Sequence, residues 1–320
     1  MGERVFEKLE NSDQLDASPI FVFAADPLAT VGIQGLGYVL HPRPHYRTRP
    51  EFLQLQRDLV ADGSIDGLLM TPADAEVLAL EEGLFDGTPV TPLVRMNAET
   101  AIWSPRYGTY QSQHSRPFQT VFPDDAQAYC ESLVAPALEC RVSLGLYSIT
   151  LNNDVVADER MLNAYIQFAH TVGEMEGFDH ILEVFLPNIK LPGLDDEKRG
   201  MYVADSIVRT MNYLRKHQRP RFIKTAYTTA KVWNELTRFD PSLIIGALGG
   251  PRENARKTLQ LANNVIQNGG HAILFGRTIF GEQSPVGIAR ALRNVLDEQM
   301  SPEEAHSMYQ QLLRQDSTTG

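Results

Sequence analysis

The sequence predicts one domain over residues 1–320 that folds as a (β/α)8 barrel. Eight short apolar runs recur along the chain, and most are separated by stretches of helical composition. Alternation of this regularity is typical of parallel strands joined by right-handed crossovers. A doubly wound open sheet is the alternative, but no G-x-G-x-x-G motif follows the first run, which disfavours it.

The predicted strands are spaced so that most of them are followed by a helix. They lie at residues 20–25, 65–70, 91–95, 141–147, 181–186, 222–226, 243–247 and 272–275. The predicted helices lie at residues 50–62, 72–82, 124–135, 159–176, 197–215, 229–237 and 252–267. A last helix begins with a capping box from Ser301 to Glu304 and is predicted to end near Arg314. A disordered tail is predicted from about residue 316.

Composition and charge narrow the function. The chain is 43% hydrophobic and 22% charged, as in an ordinary globular protein, and its formal net charge is −11. This charge disfavours a nucleic-acid binder with a basic surface. No apolar run is long enough to span a membrane, and the chain lacks a secretory signal core, so we expect a cytoplasmic protein without membrane contact. Cys130 and Cys140 are too few for a disulfide framework.

The histidines do not indicate a metal centre. No group of histidine, cysteine and acidic residues has the spacing of a metal site, so no metal is expected. His180 and His271 begin the fifth and eighth predicted strands, at the end of a barrel that serves stability. Both are therefore predicted to be structural.

A charged residue interrupts or ends three of the predicted strands: Asp26, Glu183 and Lys224. Because side chains alternate along a strand, each of the three is placed on the inward face. A buried ammonium is costly unless it has a task, and a neutral amine is a nucleophile toward carbonyl carbon. Strands five and six are neighbours, so Glu183 is expected near Lys224. We predict that these three residues are catalytic, with a structural Glu183–Lys224 ion pair as the alternative.

Glycines follow the last two predicted strands. Gly249 and Gly250 come after the seventh strand, and Gly276 and Arg277 come after the eighth. Glycine lets backbone N–H groups approach an anion closely, and barrel enzymes often bind phosphate with these two loops. The four residues are predicted to bind phosphate, with plain tight turns as the alternative.

Two long connections, at residues 30–50 and 97–123, follow the first and third strands, at the face where barrel active sites lie. They carry several arginines, which could meet a second phosphate. Two solvated loops are the alternative. The arginines are Arg43, Arg47, Arg49, Arg106 and Arg116.

Taken together, these residues resemble the DeoC/LacD-type class I aldolases, most clearly from about residue 147 to 309. The motifs are Phe222-Ile-Lys-Thr225, Leu248-Gly-Gly250, Gly276-Arg277 and Ser301-Pro-Glu-Glu-Ala305. Asp26 resembles the first-strand aspartate of that family. The resemblance implies a barrel whose Lys224 forms a Schiff base with a sugar phosphate, without cofactor or metal, in a homo-oligomer.

The resemblance points to two branches of that family. Archaeal-type fructose-bisphosphate aldolases carry an acid/base tyrosine on strand five, where this chain has Phe185. Tagatose-bisphosphate and sulfosugar-phosphate aldolases use a glutamate there, which Glu183 resembles, while the terminal-helix motif is closer to the first branch. For the second branch's lysine on strand four, Arg141 and Ser143 are both conceivable. If Glu183 is not the base, Asp26 or a loop tyrosine such as Tyr107 is next.

The resemblance implies that Lys224 forms an iminium with a phosphorylated ketose and that Glu183 moves the proton during carbon–carbon cleavage. Asp26 would orient hydroxyls or assist dehydration of the carbinolamine. Two other functions stay open from the residues. One is an oxidoreductase dependent on flavin mononucleotide, whose phosphate loops have the same pattern. The other is a non-catalytic sugar-phosphate-binding barrel.

Overall fold

The computed structural model describes residues 4–11, 18–39, 43–97, 104–121, 141–250 and 253–318. Within these ranges eight parallel strands close into a barrel, each paired with the strands before and after it in the chain. The first and last strands pair with each other and close the ring. The predicted (β/α)8 barrel is therefore confirmed. The predicted helix at residues 124–135, Cys130 and Cys140 lie outside the described residues.

The strand bounds agree with the predicted ones to within three residues. They are β1 Ile20–Ala25, β2 Gly67–Met70, β3 Thr91–Arg95, β4 Leu144–Thr150, β5 Asp179–Phe185, β6 Ile223–Thr225, β7 Ile245–Leu248 and β8 Ala272–Phe275. The largest shift is at β4, which was predicted at residues 141–147. Its start is set by pairing, because Leu144 is the register partner of Leu93 on β3 and of Asp179 on β5.

Most of the described helices surround the barrel, while one closes its amino-terminal end and one short helix lies at the carboxyl ends of the strands. They are α1 Arg4–Glu10, α2 Arg49–Asp62, α3 Pro72–Ala75, α4 Val155–Gly173, α5 Asp196–Met211, α6 Ala230–Phe239, α7 Ala255–Gln267, α8 Arg277–Phe280, α9 Pro285–Leu296 and α10 Pro302–Thr318. A π-helical segment, Glu76–Glu81, continues α3. Of the helices described, none combines the length and the apolar character needed to cross a membrane.

The last helix begins where the sequence predicts and ends later. The Glu304 carboxylate accepts a hydrogen bond from Ser301 N (2.9 Å), and Glu304 N donates to Ser301 Oγ (3.3 Å), which is the predicted capping box. The helix continues to Thr318, past the predicted end near Arg314, so the start of the predicted disordered tail is helical.

Apolar side chains fill the lower part of the barrel and leave its upper part for polar groups. The inward-facing residues of this layer are Ile20, Val22, Leu69, Leu93, Leu144, Leu146, Ile181, Phe222, Ala272 and Leu274. Helix α1, which no sequence feature predicted, closes the barrel from below with the buried side chains of Val5 and Leu9. Val5 N donates to the hydroxyl of Thr91 on β3 (3.1 Å) and fixes that closure.

The two long connections lie at the carboxyl ends of the strands. The first forms two short 3-10 turns and a two-stranded ribbon of Tyr38–Val39 with His45–Tyr46. In the second, residues 104–121 are held by side chains that follow β4 and β5. Asn152 Oδ1 accepts from Ser115 N (2.8 Å), and Asn188 Nδ2 donates to Gln113 O (2.7 Å). The described part of this connection is therefore a fixed roof at the barrel mouth.

Candidate active site

A cavity of about 400 Å³ opens at the carboxyl ends of the strands, under the roof formed by residues 104–121. Side chains and glycines from seven segments of the chain line it. These include every residue predicted for the site: Asp26, Glu183, Lys224, Gly249, Gly250, Gly276 and Arg277. The structure therefore brings the three charged strand residues and the two glycine loops to one place.

Lys224 and Glu183 form a buried ion pair in this cavity. The two residues are direct register partners on β6 and β5, and alternation turns both inward. Lys224 Nζ lies 2.6 Å from Glu183 Oε1, and the side chains are 6% and 2% exposed. The pair is close enough for direct proton transfer between amine and carboxylate. The proximity of Glu183 and Lys224 that strand periodicity predicted is thus confirmed.

The other oxygen of Glu183 is held by different partners. Ser148, its register partner on β4, donates from Oγ to Glu183 Oε2 (2.7 Å). Arg95 on β3 places Nη1 3.5 Å from the same oxygen and 2.7 Å from Asp26 Oδ2. The carboxylate is therefore fixed by its Oε2 atom, while its Oε1 atom faces the lysine.

Arg95 is the main residue that the sequence interpretation missed. It is 2% exposed, and its Nε donates to the backbone oxygen of Asn97 (2.5 Å). Asn97 in turn pairs reciprocally with the backbone of Ser148, at 2.9 and 2.8 Å. The signal was present in the sequence, because strand alternation puts Arg95 on the inward face of β3 by the same rule that selected Glu183.

The buried charges balance one another. Lys224 and Arg95 supply two cations, and Glu183 and Asp26 supply two carboxylates. The contacts run from Lys224 on β6 through Glu183 and Arg95 to Asp26 after β1. Such an arrangement can hold ionised groups away from water because each has a partner. Among the described residues there is no group of three or more side chains suited to hold a metal ion.

The glycine loops approach the cavity in ways that a side chain would block. A Cβ at Gly276 would lie 2.4 Å from the backbone oxygen of Ala24, so the β8 loop can pass β1 only as glycine. Gly250 adopts φ +66°, which favours glycine. Arg277 begins α8 with an exposed side chain at the cavity wall. Backbone N–H groups and one guanidinium are therefore available to an anion at this end.

The roof contributes three further lining residues, Ser104, Tyr110 and Gln111. The backbone oxygen of Tyr110 accepts from the Asn188 side chain, which holds this part of the roof over the barrel. Tyr107, which the sequence interpretation named as a reserve base, is fully exposed and does not line the cavity. Tyr110 is the loop tyrosine that does, and only tertiary packing distinguishes the two.

The arginines of the long connections do not line this cavity. Arg47 donates to the backbone oxygens of Leu36 and Phe280, at 2.7 and 3.0 Å. Arg49 is paired with the buried Asp74, and its Nη2 lies 2.9 Å from that carboxylate. The remaining three are placed elsewhere: Arg43 is exposed, Arg106 lies over the Tyr46 ring, and Arg116 lines a separate cavity.

Neither candidate for the position of the strand-four lysine, Arg141 or Ser143, lies in the site. Arg141 precedes β4 and donates to the backbone oxygens of Ala79 and Leu80, both at 3.3 Å. Ser143 also precedes β4 and does not line the cavity. The inward residue of β4 beside Glu183 is Ser148, and the second buried cation comes from β3. The resemblance to the strand-four lysine pattern therefore fails at this position.

His180 has the structural environment that its position predicts. It is buried on β5, its Nε2 lies 3.1 Å from the Tyr165 hydroxyl on α4, and its ring meets Phe168 edge-on. Desolvation lowers the pKa of His180 to about 3. The ring is therefore neutral near pH 7 and belongs to the packing between β5 and α4.

Comparison with solved structures finds the same barrel in several aldolases. A Schiff-base-forming fructose-1,6-bisphosphate aldolase matches with a TM-score of 0.65 and 15% identity, over 91% of this chain and 98% of that one. An archaeal fructose 1,6-bisphosphate aldolase matches with a TM-score of 0.63 and 14% identity, over 91% and 99%. A fructose-bisphosphate aldolase from Slackia heliotrinireducens matches with a TM-score of 0.69 and 14% identity, over 96% and 89%.

No protein-family model matches the sequence, and no curated protein matches it. The solved aldolases are under one-fifth identical to this chain, so their likeness establishes the fold. The residues of this site, rather than the shared fold, indicate its chemistry.

Proposed function

We propose that this protein is a class I aldolase that makes or breaks a carbon–carbon bond in a phosphorylated ketose through a Schiff base on Lys224. The observation that carries the proposal is the buried pair of Lys224 Nζ and Glu183 Oε1, 2.6 Å apart, in a cavity that two glycine loops also line. A buried amine beside a proton acceptor, in a cavity whose glycine loops can meet an anion, suits covalent catalysis on a ketose phosphate. The fold shared with Schiff-base aldolases raises this expectation by analogy.

The first half of the reaction forms the iminium. Glu183 Oε1 accepts a proton from Lys224, and the neutral amine attacks the ketone carbon to give a carbinolamine. The carbinolamine hydroxyl then leaves as water after receiving a proton from Glu183, with Asp26 orienting the departing group. The carbon–nitrogen double bond that results carries the positive charge that Lys224 carried before.

The second half breaks the carbon–carbon bond. Glu183 takes the proton of the hydroxyl on the carbon beyond that bond, and the bond's electron pair moves into the iminium to give an enamine. The aldehyde half leaves. Reprotonation of the enamine carbon and hydrolysis of the iminium release the ketone phosphate and return Lys224. The Oε2 contacts with Ser148 and Arg95 keep Oε1 directed at the reacting atoms throughout.

The phosphate is proposed to lie on Gly249, Gly250, Gly276 and Arg277, which would position the ketone over Lys224. Arg277→Ala is therefore expected to weaken binding of a phosphorylated ketone by about tenfold or more, because a charge-assisted hydrogen bond is lost. Because Arg277 is exposed, the thermal midpoint of the Arg277→Ala variant is expected to stay near the parental value. Equal affinity of the parental protein for a phosphorylated ketone and its free analogue would contradict the site.

The chemistry is tested by borohydride trapping, read by intact mass and peptide mapping. Lys224→Met is expected to abolish both trapping and cleavage. Glu183→Gln is expected to keep some trapping, while cleavage slows by roughly 10²–10⁴-fold, the usual contribution of a general acid/base. Because Lys224→Met leaves a buried carboxylate without its cation, folding of each variant is checked by circular dichroism. Retention of cleavage by Lys224→Met excludes the Schiff base.

The two rival functions have their own tests. A flavin-dependent oxidoreductase would purify with yellow colour or take up flavin mononucleotide. A non-catalytic sugar-phosphate-binding barrel would bind ketose phosphates without any borohydride adduct. The contact between Glu183 and Lys224 favours the aldolase over both, because neither rival needs a proton acceptor 2.6 Å from the amine.

A further inference from the structure

The charges that line the cavity are distributed unevenly. Among the described residues, its cations are Lys224, Arg95 and Arg277. Lys224 is paired with Glu183, and Arg95 contacts Asp26 at 2.7 Å and donates to the backbone oxygen of Asn97. Arg277 is thus the cavity cation that lies outside this buried network, and it stands at the end formed by the β7 and β8 loops.

At the opposite end of the cavity, the one cation among the described lining residues is Arg95 of β3, which pairs with Asp26 at 2.7 Å. Strand order around the ring places β3 across from β7, so the roof that follows β3 faces the glycine loops. This roof lines the cavity with Ser104, Tyr110 and Gln111. These side chains can hydrogen-bond to hydroxyl and aldehyde oxygens, but they offer no positive charge to an anion.

Among the described residues, no further cation lines the cavity. The arginines of the long connections contact backbone oxygens, Asp74 or the Tyr46 ring, or lie away from the cavity. The segments outside the described residues contain one arginine, Arg252, which directly follows the glycine loop, one histidine, His41, and no lysine. The same segments contain several acidic residues: Glu3, Asp13, Asp16, Glu99, Asp124, Asp125, Glu131 and Glu139.

The position of the glycine loop relates phosphate to ketone. Gly246 is the register partner of Lys224, and Gly249 lies three residues further along the chain. At about 3.3 Å per residue, Gly249 lies about 10 Å along the strand direction from the level of the Lys224 backbone, and the lysine side chain spans part of this distance. The distance left between the lysine nitrogen and Gly249 suits a phosphate on the carbon next to the ketone, rather than one at the far end of the sugar.

We infer that the substrate is a ketose phosphate with a single phosphate, next to the ketone, and that the aldehyde half it releases is uncharged. This inference rests on the proposed aldolase function and narrows its substrate class. A second phosphate at the roof end would be partly desolvated beside Arg95, whose charge Asp26 already balances, and the described roof side chains offer it no further cation. The neutral roof thus selects against bisphosphates.

The test separates the inference from the function on which it rests. Borohydride trapping of dihydroxyacetone phosphate on Lys224 examines the Schiff base without regard to the aldehyde. Aldol addition is then measured with two acceptors that differ only in the phosphate, racemic glyceraldehyde and racemic glyceraldehyde 3-phosphate. We expect kcat/KM for glyceraldehyde to equal or exceed that for glyceraldehyde 3-phosphate.

Two matched variants place the discrimination at the roof. Gln111→Arg adds a cation there, and Gln111→Glu adds an anion to a side chain of nearly the same shape. Relative to glyceraldehyde, kcat/KM for glyceraldehyde 3-phosphate is expected to rise by about tenfold or more in Gln111→Arg and to fall in Gln111→Glu. The ratio is the readout, because either change can alter the activity with both acceptors.

The outcomes separate a failure of the aldolase function from a failure of the substrate inference. If dihydroxyacetone phosphate leaves no adduct on Lys224, the proposed function fails and the substrate inference falls with it. If the adduct forms but the parental protein prefers the phosphorylated acceptor by tenfold or more, the substrate inference alone is overturned. An acceptor ratio that is the same in Gln111→Arg and Gln111→Glu also overturns it, because the far end of the substrate would then not meet the roof.

Discussion

At the level of single residues, the two oxygens of Glu183 have different surroundings. Oε2 accepts from Ser148 and lies near Arg95, whereas Oε1 faces Lys224 at 2.6 Å. A carboxylate held at one oxygen keeps the other in a fixed direction, which is what a base acting on successive intermediates needs. Arg95 is therefore a positioning residue that acts through Glu183 and Asp26.

Replacement of Arg95 by Met should slow cleavage by about 10²-fold, a size expected for misplacement of a base by about 1 Å. Trapping of dihydroxyacetone phosphate on Lys224 should persist. Steady-state kinetics and intact-mass trapping measure the two effects.

Two comparisons separate this role from a purely structural one. Added guanidinium should restore part of the activity of the Met variant, and Arg95→Lys should lie between that variant and the parent. Arg238→Met, at an exposed position near the end of α6, serves as the matched control and should leave cleavage at the parental rate. If neither added guanidinium nor Arg95→Lys restored any activity, Arg95 would act on folding alone.

At the level of elements, the contact between β5 and α4 buries a titratable group near the site. His180 lies three residues before Glu183 on β5 and contacts Tyr165 and Phe168 of α4. Because its ring is neutral and desolvated, this contact makes the barrel sensitive to acid. The active-site strand is therefore coupled to pH through the packing of His180.

The acid sensitivity follows from the pKa of His180, which desolvation lowers to about 3. The unfolded chain takes up a proton as pH falls below about 6.5, and the folded chain does not, so the free energy of unfolding decreases. Between pH 6.5 and 4.5 the loss should be about 2–3 kcal/mol. His180→Gln, which can still hydrogen-bond to Tyr165, should flatten this dependence in urea titrations.

His170, exposed in the last turn of α4, provides the matched control. His170→Gln should keep the parental decline in the urea midpoint between pH 6.5 and 4.5. An equal decline in His180→Gln and the parent would show that other groups cause the acid sensitivity.

At the level of the whole molecule, one buried carboxylate joins distant parts of the chain below the barrel. Asp66, 1% exposed before β2, accepts from Lys8 of α1 (2.8 Å), from Arg293 of α9 (2.6 Å) and from Phe21 N of β1 (2.7 Å). Burial lowers the pKa of Lys8, and Asp66 opposes that change. The cluster fixes α1, which closes the barrel opposite the active site.

Asp66→Ala should destabilise the protein by roughly 3–5 kcal/mol, because it leaves buried cations without their common partner. The urea midpoint measures this loss. Glu197→Ala removes one member of an exposed ion pair with Lys231 and should leave the midpoint nearly unchanged. A similar midpoint for Asp66→Ala and the parent would show that apolar packing alone holds α1 in place.

The sequence by itself determined the barrel and the core of the candidate site, because both depend on local periodicity. Eight strand-like runs specify the fold, and alternation within β5 and β6 places Glu183 and Lys224 inward in neighbouring strands. The glycine loops were recognisable for the same reason, since their position after β7 and β8 follows from chain order.

Only the tertiary structure decided which groups meet from strands that are not consecutive. Arg95 reaches Asp26 across the barrel interior from β3 to β1, and β2 separates those two strands in the ring. Tertiary packing also decided that Tyr110 rather than Tyr107 lines the cavity, because Asn188 holds the roof from another strand end. Periodicity reports the face on which a side chain lies, whereas the partner that a long side chain meets and the path of a loop depend on contacts distant in sequence.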